Sequence, residues 1–376
     1  MKIRVALLQL NPRIGKINEN ISNVYKLLSS STQQQPTPPP PPQTTITTTT
    51  TNQQLNSKFD LIVLPELAIT GYNFPNSTAI KPYLESIDKF GPSLNLGREL
   101  SIKYQSILVI GYPEFSHDDN KIYNSCAVFN RFGQLIYNYR KSFLYETDEV
   151  WGCNENPIKG FPSIELDFSP TSNKIREDIN VNETSETTTQ SVITNIGICM
   201  DLNPYKFEAP FNKFEFSMSS YSQRAKLLIC PMAWLNPSSP SILDNEEFDK
   251  SDKLELAQEL ESELKENLDS AEASWSTINY WILRFFPYLS HKNSIMPKWF
   301  NNKTSTEANN DEKVTVLCCN RVGVEEDVVY AGSSCILQFN NHGKYNDATD
   351  LTNESVELIG NLDQINESIL IKEIDL

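Results

Sequence analysis

The residues best placed to do chemistry are a carboxylate, an amine and a thiol, each standing just after an apolar or strand-like run. Glu66 follows Leu61-Ile62-Val63-Leu64, Lys141 follows Leu135 to Arg140, and Cys199 follows Val192 to Ile198. Runs of this length and β-branched or aromatic character read as strands. A group at a strand end is held by the core yet faces the loops where ligands bind in α/β proteins. Singly, each has a plain structural reading: Glu66 caps a turn, Lys141 is a solvated charge, and Cys199 packs in the core like most free cysteines. If the three strands share a sheet and run in the same sense, however, the three groups converge at one edge.

Together they form a coherent set. An ordinary cysteine thiol, with a pKa of about 8.5, is only slightly ionised at neutral pH and needs a base or a cation beside it. Histidine is the common base, but the chain has only His117, His291 and His342, each in a polar, loop-like setting. That scarcity makes a Cys–His dyad or a histidine metal site hard to assemble. A carboxylate in a partly dry pocket can take the thiol proton instead. An ammonium would stabilise both the thiolate and the oxyanion of a tetrahedral intermediate, with the Met200 backbone N–H as second donor. Such a set suits acyl transfer from an amide or nitrile through a thioester.

The elements that must position these groups alternate along the chain. Lys2 to Leu10 reads as a first strand, and Ile17, Ile21, Val24, Leu27 and Leu28 recur at helical spacing. A helix is expected near Leu94 to Tyr104, then a strand at Ile107 to Gly111. Tyr123 to Phe129 and Leu135 to Arg140 form a hairpin about Arg131-Phe132-Gly133. Further strands are expected at Leu227 to Cys230, Val314 to Cys318, Cys335 to Phe339 and, at an edge, Ile369 to Ile374. Trp275 to Phe286 reads as an aromatic-rich helix. The pattern gives one α/β domain with a mixed sheet, spanning 1–376 and interrupted by insertions. Residues 31–57, with six prolines between Pro36 and Pro42, cannot bury enough apolar surface to offset their ordering entropy and read as disordered. Residues 170–190 form a polar insertion. Residues 243–272 form an acidic helical one, with Leu256, Leu260, Leu264 and Leu268 as its apolar stripe.

Charge and composition exclude several classes. Thirty-two basic residues against 48 acids give −16, a poor match for a nucleic-acid partner. Asp244 to Glu272 alone holds twelve acids and three lysines, read as a solvated face. Docking of a basic partner there is the sharper alternative. No apolar stretch approaches a membrane span. The seven cysteines show no CxxC spacing, and Met1 to Leu10 reads as a core strand rather than a signal peptide, so reduced thiols in the cytoplasm are expected. A mitochondrial form from an alternative start is the variant of that expectation.

Leu64-Pro65-Glu66-Leu67, Gly71-Tyr72, Tyr139-Arg140-Lys141-Ser142-Phe143-Leu144 and Ile196-Gly197-Ile198-Cys199-Met200-Asp201 resemble, in order and broad spacing, the motifs of the nitrilase (carbon–nitrogen hydrolase) superfamily. Ala331-Gly332-Ser333-Ser334 resembles a late structural motif of the same family. The resemblance implies a nitrilase-like αββα sandwich, often built from paired protomers, with no metal or organic cofactor. It assigns Glu66 as general base, Lys141 as oxyanion stabiliser and Cys199 as nucleophile. A second glutamate beyond the lysine is implied; Glu149 is the choice and Glu146 the runner-up.

The segments from Phe143 to Gly152, Cys199 to Phe211, Cys230 to Leu235 and Asn320 to Gly323 resemble a fungal branch of that superfamily. Its members deamidate N-terminal asparagine or glutamine of polypeptides, and the products feed arginylation and degradation by the N-degron route. A free α-ammonium needs acceptors, for which Asp148 and Asp201 are the candidates by proximity in sequence. Tyr72, Trp151 and Trp234 are candidate walls. The rivals are an amidase or nitrilase for small free amides and a catalytically silent scaffold, which would be expected to lack one of the trio.

Overall fold

The computed structural model describes residues 1–30, 59–169, 190–244, 246–266, 272–289, 313–340 and 356–376. The expected insertion at 31–57 lies outside the described residues, as does that at 170–190 apart from Gln190.

Two six-stranded sheets carry the fold. In chain order the first half supplies β1 (Lys2–Gln9), α1 (Ile17–Ser30), β2 (Leu61–Val63), α2 (Ser77–Ile80), α3 (Pro92–Tyr104), β3 (Ile107–Ser116), β4 (Lys121–Phe129), β5 (Leu135–Arg140) and α4 (Glu146–Val150). The second half supplies β6 (Ser163–Asp167), β7 (Ser191–Ile196), α5 (Glu215–Ser222), β8 (Leu227–Pro231), α6 (Lys250–Glu266) and α7 (Trp275–Arg284). It closes with β9 (Val314–Cys319), β10 (Val324–Glu325), β11 (Val328–Val329), β12 (Cys335–Phe339), β13 (Val356–Asn361) and β14 (Ser368–Asp375).

One sheet runs β14-β1-β2-β3-β4-β5 and the other β13-β12-β9-β8-β7-β6. Each has a parallel trio at its centre, β1-β2-β3 or β7-β8-β9, flanked by antiparallel strands. The sequence pattern pointed to one mixed sheet. There are two because the period-two alternation has to satisfy two different apolar layers. Val5, Leu7, Leu61, Val63, Ile107 and Val109 enter one core with Ile196, Leu228 and Leu317 of the opposing sheet. Their alternate neighbours Ala6, Leu8, Ile62, Leu64, Leu108 and Ile110 pack with Val24 and Leu28 of α1 and Leu94 and Leu100 of α3. Strands covered on both faces read as unbroken apolar runs, which is why these were visible in the sequence.

On the far side, Phe216 of α5 and Ile278 and Trp281 of α7 pack with the second sheet's core, and the Phe285 and Phe339 rings lie 5.9 Å apart. The layers are therefore helix, sheet, sheet, helix. Within the acidic span, α6 exposes most of its charged residues but buries Lys253, together with Ala257, while Leu256, Leu260 and Leu264 are half-buried. Leu268 lies outside the described residues.

Within the two large sheets, two strands escaped the sequence reading, β6 and β13. They are the two edges of the second sheet and lack a continuous apolar run. Strand β14 is an edge strand, pairing antiparallel with β1 along its whole length.

Candidate active site

The carboxylate, amine and thiol do meet, but across two sheets rather than along one edge. Glu66 leaves β2 and Lys141 leaves β5, in the first sheet. Both strands run in the same sense, because β3 is parallel to β2 and β4 turns back twice through antiparallel pairs. Cys199 leaves β7 in the opposing sheet.

Glu66 and Lys141 are both fully buried, with Lys141 Nζ 2.7 Å from Glu66 Oε1. The same Nζ lies 2.7 Å from Asp148 Oδ2. The other sheet also reaches Glu66: Ala233 N–H, just past β8, donates to Glu66 Oε2 at 2.7 Å. This N–H acts on the Cys199 sulfur as well. One backbone donor therefore sits between base and thiol.

Glu66 can enter the site only because β3 carries a glycine beneath it. A Cβ on Gly111 would lie 2.6 Å from Pro65 O and 2.7 Å from both Glu66 Cα and Leu67 N. All three are backbone atoms and cannot swing aside. Gly111→Ala should displace Glu66, cost about 1–3 kcal/mol of stability and lower kcat on the order of 100-fold. Chemical denaturation and steady-state rates would check both.

Cys199 has φ of 43°, the left-handed region, and opens the 3-10 turn Cys199–Leu202. For a residue with a Cβ this conformation costs on the order of 1 kcal/mol and persists only if the surroundings enforce it. Asp201 does so. Its Oδ2 accepts from Ile198 N–H and Tyr139 O–H, both at 2.8 Å. Its Oδ1 accepts from Ser142 N–H at 3.1 Å and Phe143 N–H at 2.8 Å. One carboxylate thus ties the loop entering Cys199 to the loop leaving Lys141.

Burial pushes the Asp201 carboxyl up to about 7, against the Ile198, Phe143 and Tyr139 donors and the Lys141 charge, which pull it down. A folded-state value above the ordinary one means stability that is present below about pH 4 and lost as pH rises through about 7. Asp201→Asn would aim an amide N–H₂ at donors and should cost about 1–3 kcal/mol. It should also abolish that pH slope, which urea midpoints at several pH values would read.

Burial raises Glu66 above the ordinary carboxylate range and Asp148 adds to this, while Lys141 opposes it. Burial alone would depress the Lys141 ammonium, but Asp148, Glu66 and Cys199 together lift it well above its usual value. Burial and then Glu66 push the Cys199 thiol well up. These shifts favour a charged Lys141 and a protonated Cys199 thiol.

The structure places the remaining candidates from the sequence as follows. Glu149 is exposed and Glu146 likewise; neither reaches Lys141. Asp148 stands there instead, because it is the third residue of α4 and folds back to accept Tyr145 N–H at 2.9 Å. Glu149, one residue on, is turned about 100° round the helix toward solvent. Asp148 is consequently occupied by Lys141, Asn124 and Tyr145, and Asp201 by its four donors, so neither is free to receive a substrate ammonium.

Tyr72 is buried with Lys141 Nζ 5.6 Å from its ring centroid. Trp151 is fully buried in the same cluster as Tyr72. Met200 is buried beside Cys199. Trp234 is half-buried, with rings of Tyr280 and Trp281 at 5.7 and 5.9 Å. Its backbone is held by Asn320, which accepts from Trp234 N–H at 2.7 Å and donates to Trp234 O at 3.2 Å.

The sequence reading missed Asn124 and Cys153. Asn124 Nδ2 donates to Glu66 Oε1 at 2.6 Å and to Asp148 Oδ1 at 2.9 Å. Its backbone N–H donates to Cys153 Sγ at 3.2 Å. The available signal was a polar residue inside the apolar hairpin strand. Among the described residues no group of His, Cys, Asp or Glu is arranged to hold a metal ion.

A buried carboxylate–ammonium–carboxylate cluster facing a thiol, at strand exits of two facing mixed sheets, can run acyl transfer at an amide carbon. Comparison gives the class. The carbon-nitrogen hydrolase family model matches residues 4–201, and the chain belongs to that family of hydrolases acting on carbon–nitrogen bonds. The particular likeness is closer than the family. The Protein N-terminal amidase of Saccharomyces cerevisiae is 32% identical over 100% of this chain and 95% of its own length. The enzyme of the same name from Schizosaccharomyces pombe is 26% identical over 89% and 91%. A crystal structure of N-terminal amidase superposes with a TM-score of 0.78 at 31% identity, covering 99% of this chain and 97% of that one. That protein has also been solved with an Asn-Glu-Ala and with a Gln-Val peptide.

Proposed function

We propose that this chain deamidates N-terminal asparagine and glutamine of polypeptides, leaving aspartate and glutamate and releasing ammonia. The observation that carries this is the end-to-end likeness to N-terminal amidases, one of them solved with Asn- and Gln-initiated peptides. The geometry supplies the chemistry.

Cys199 Sγ attacks the side-chain carboxamide carbon while Glu66 takes the thiol proton. The raised carboxyl suits a base that must later return the proton. The oxyanion forms against Lys141 and the Met200 N–H. As the C–N bond breaks, Glu66 delivers its proton to the leaving nitrogen, and ammonia departs from a thioester. Glu66 then activates a water that cleaves the thioester and frees Cys199. Asp148 keeps Lys141 charged and in place throughout.

A protein exposing new N-terminal acids would supply an arginylation and N-degron route, in a cytoplasm where its seven free cysteines stay reduced. A homodimer is the assembly proposed. Among the described residues no helix is long and apolar enough to cross a membrane. The test is ammonia release and mass spectrometry on Asn- and Gln-initiated peptides beside free glutamine and small ω-amides. Hydrolysis of the small amides with the peptides left intact would overturn the reading.

A further inference from the structure

We propose that Asn124 is a positioning residue of this site: its side-chain amide orients Glu66 and Asp148 together and keeps Glu66 available as a base near neutral pH. The inference rests on the reading of Glu66 as the base.

Asn124 occupies the middle of the machinery. Each hydrogen of its amide reaches a different carboxylate, Glu66 Oε1 at 2.6 Å and Asp148 Oδ1 at 2.9 Å. The reverse amide orientation would aim a carbonyl oxygen at two carboxylates, so the surrounding charge fixes which end points inward. Lys141 Nζ bridges the same two carboxylates from the other side. The four groups close a ring, with an ammonium at one corner and a neutral donor opposite it.

The backbone of Asn124 is fixed from both sides. Its carbonyl accepts Lys141 N–H at 2.8 Å, and its N–H donates to Cys153 Sγ. One residue therefore contacts the loop carrying Glu66, the exit of β5, the helix carrying Asp148 and the turn beyond it. Cys153 acts here as a hydrogen-bond acceptor that sets the register of β4 against that turn.

Packing alone does not explain an asparagine at this point. Asn124 is fully buried, and its Oδ1 has no hydrogen-bond partner among the described residues. An orphaned buried carbonyl is costly, and an apolar residue of similar shape would avoid that cost. A neutral donor also does what a second cation would not: it favours the carboxylate of Glu66 without removing its basicity.

The groups around Glu66 come from several elements. Lys141 lies past β5, Asp148 on α4, Cys153 beyond it, Cys199 past β7 and Tyr72 past β2; Arg321 and Tyr330 act from farther off. Lys141, Tyr72, Tyr330, Cys153, Cys199 and Arg321 are all shifted upward, on the alkaline side of neutrality. The acid limb of a rate profile therefore follows Glu66, which Asn124 contacts directly.

The experiment is the pH dependence of kcat/KM on an Asn-initiated peptide for the parent, Asn124→Leu, Asn124→Ser and Asn124→Asp. Loss of the donor in the Leu and Ser variants should move the acid limb upward by about one pH unit. KM should change little, and kcat should fall more at the acid end than at the alkaline end. Asn124→Asp places a third carboxylate there and should move the limb further in the same direction. Any one variant that folds, shown by a cooperative melt, decides the matter. A limb that stays at the parental position, with kcat lowered evenly across pH, would mean a structural role only and overturn the proposal. Should the parent leave peptides intact, the functional reading fails separately, and the same profile on an amide it does hydrolyse still tests Asn124.

Discussion

Lys141→Met is expected to reduce kcat by at least 100- to 1000-fold and to destabilise the fold by about 3–5 kcal/mol. Lys141 has no exposed surface, and its Nζ is 2.7 Å from a carboxylate oxygen on each side. Methionine fills similar volume, so packing is nearly conserved and the loss is electrostatic. Without the ammonium, Glu66 and Asp148 face each other in a dry interior with only Asn124 between them. Desolvation already raises Glu66, and Lys141 is the main influence opposing it. Removing that influence drives Glu66 further up. A carboxyl raised in the folded state contributes stability at low pH that is lost as pH rises through its folded value. The destabilisation should therefore be smaller at pH 5 than at pH 8, a contrast that paired urea titrations would resolve. Equal losses at both pH values would mean that the carboxylates do not depend on Lys141.

The second large effect is at the thiol. Cys199→Ala should lower ammonia release on the order of 10⁴-fold or more, because no neighbouring group can substitute for sulfur as the nucleophile. Stability should move little, since Asp201 and not the thiol enforces the left-handed turn. Calorimetry beside an ammonia assay separates these outcomes. A variant releasing ammonia at the parental rate would remove the covalent mechanism altogether. Together the two substitutions distinguish roles: Lys141 is expected to affect both fold and rate, Cys199 almost only rate.

The most legible strands were those covered on both faces. Leu61 to Val63 and Leu227 to Pro231 are buried along their whole length, and a continuous apolar run marks such a strand without any help from context. Ser163 to Asp167 and Val356 to Asn361 are edges, half covered and weakly apolar, so their membership in a sheet depends on partners far away in the chain. Glu66 and Cys199 were found by the same logic, as reactive groups at the exits of apolar runs, whereas Lys141 follows the half-buried edge strand β5 and was found through the hairpin pattern. Asn124 was not found, because a polar residue within a hairpin strand is only a weak signal until Glu66 and Asp148 are brought into contact with it.

By itself the sequence determined which strands form a core, which chemistry the thiol needs in the near absence of histidine, and which family's motifs occur in which order. The tertiary structure alone decided that base and thiol come from opposing sheets, since a period-two pattern records that a face is buried but not what covers it. It also placed Asp148, and not its neighbour Glu149, against Lys141. Adjacent acids look interchangeable in a string of letters, but a short helix turns one inward onto Lys141 and the next outward to water.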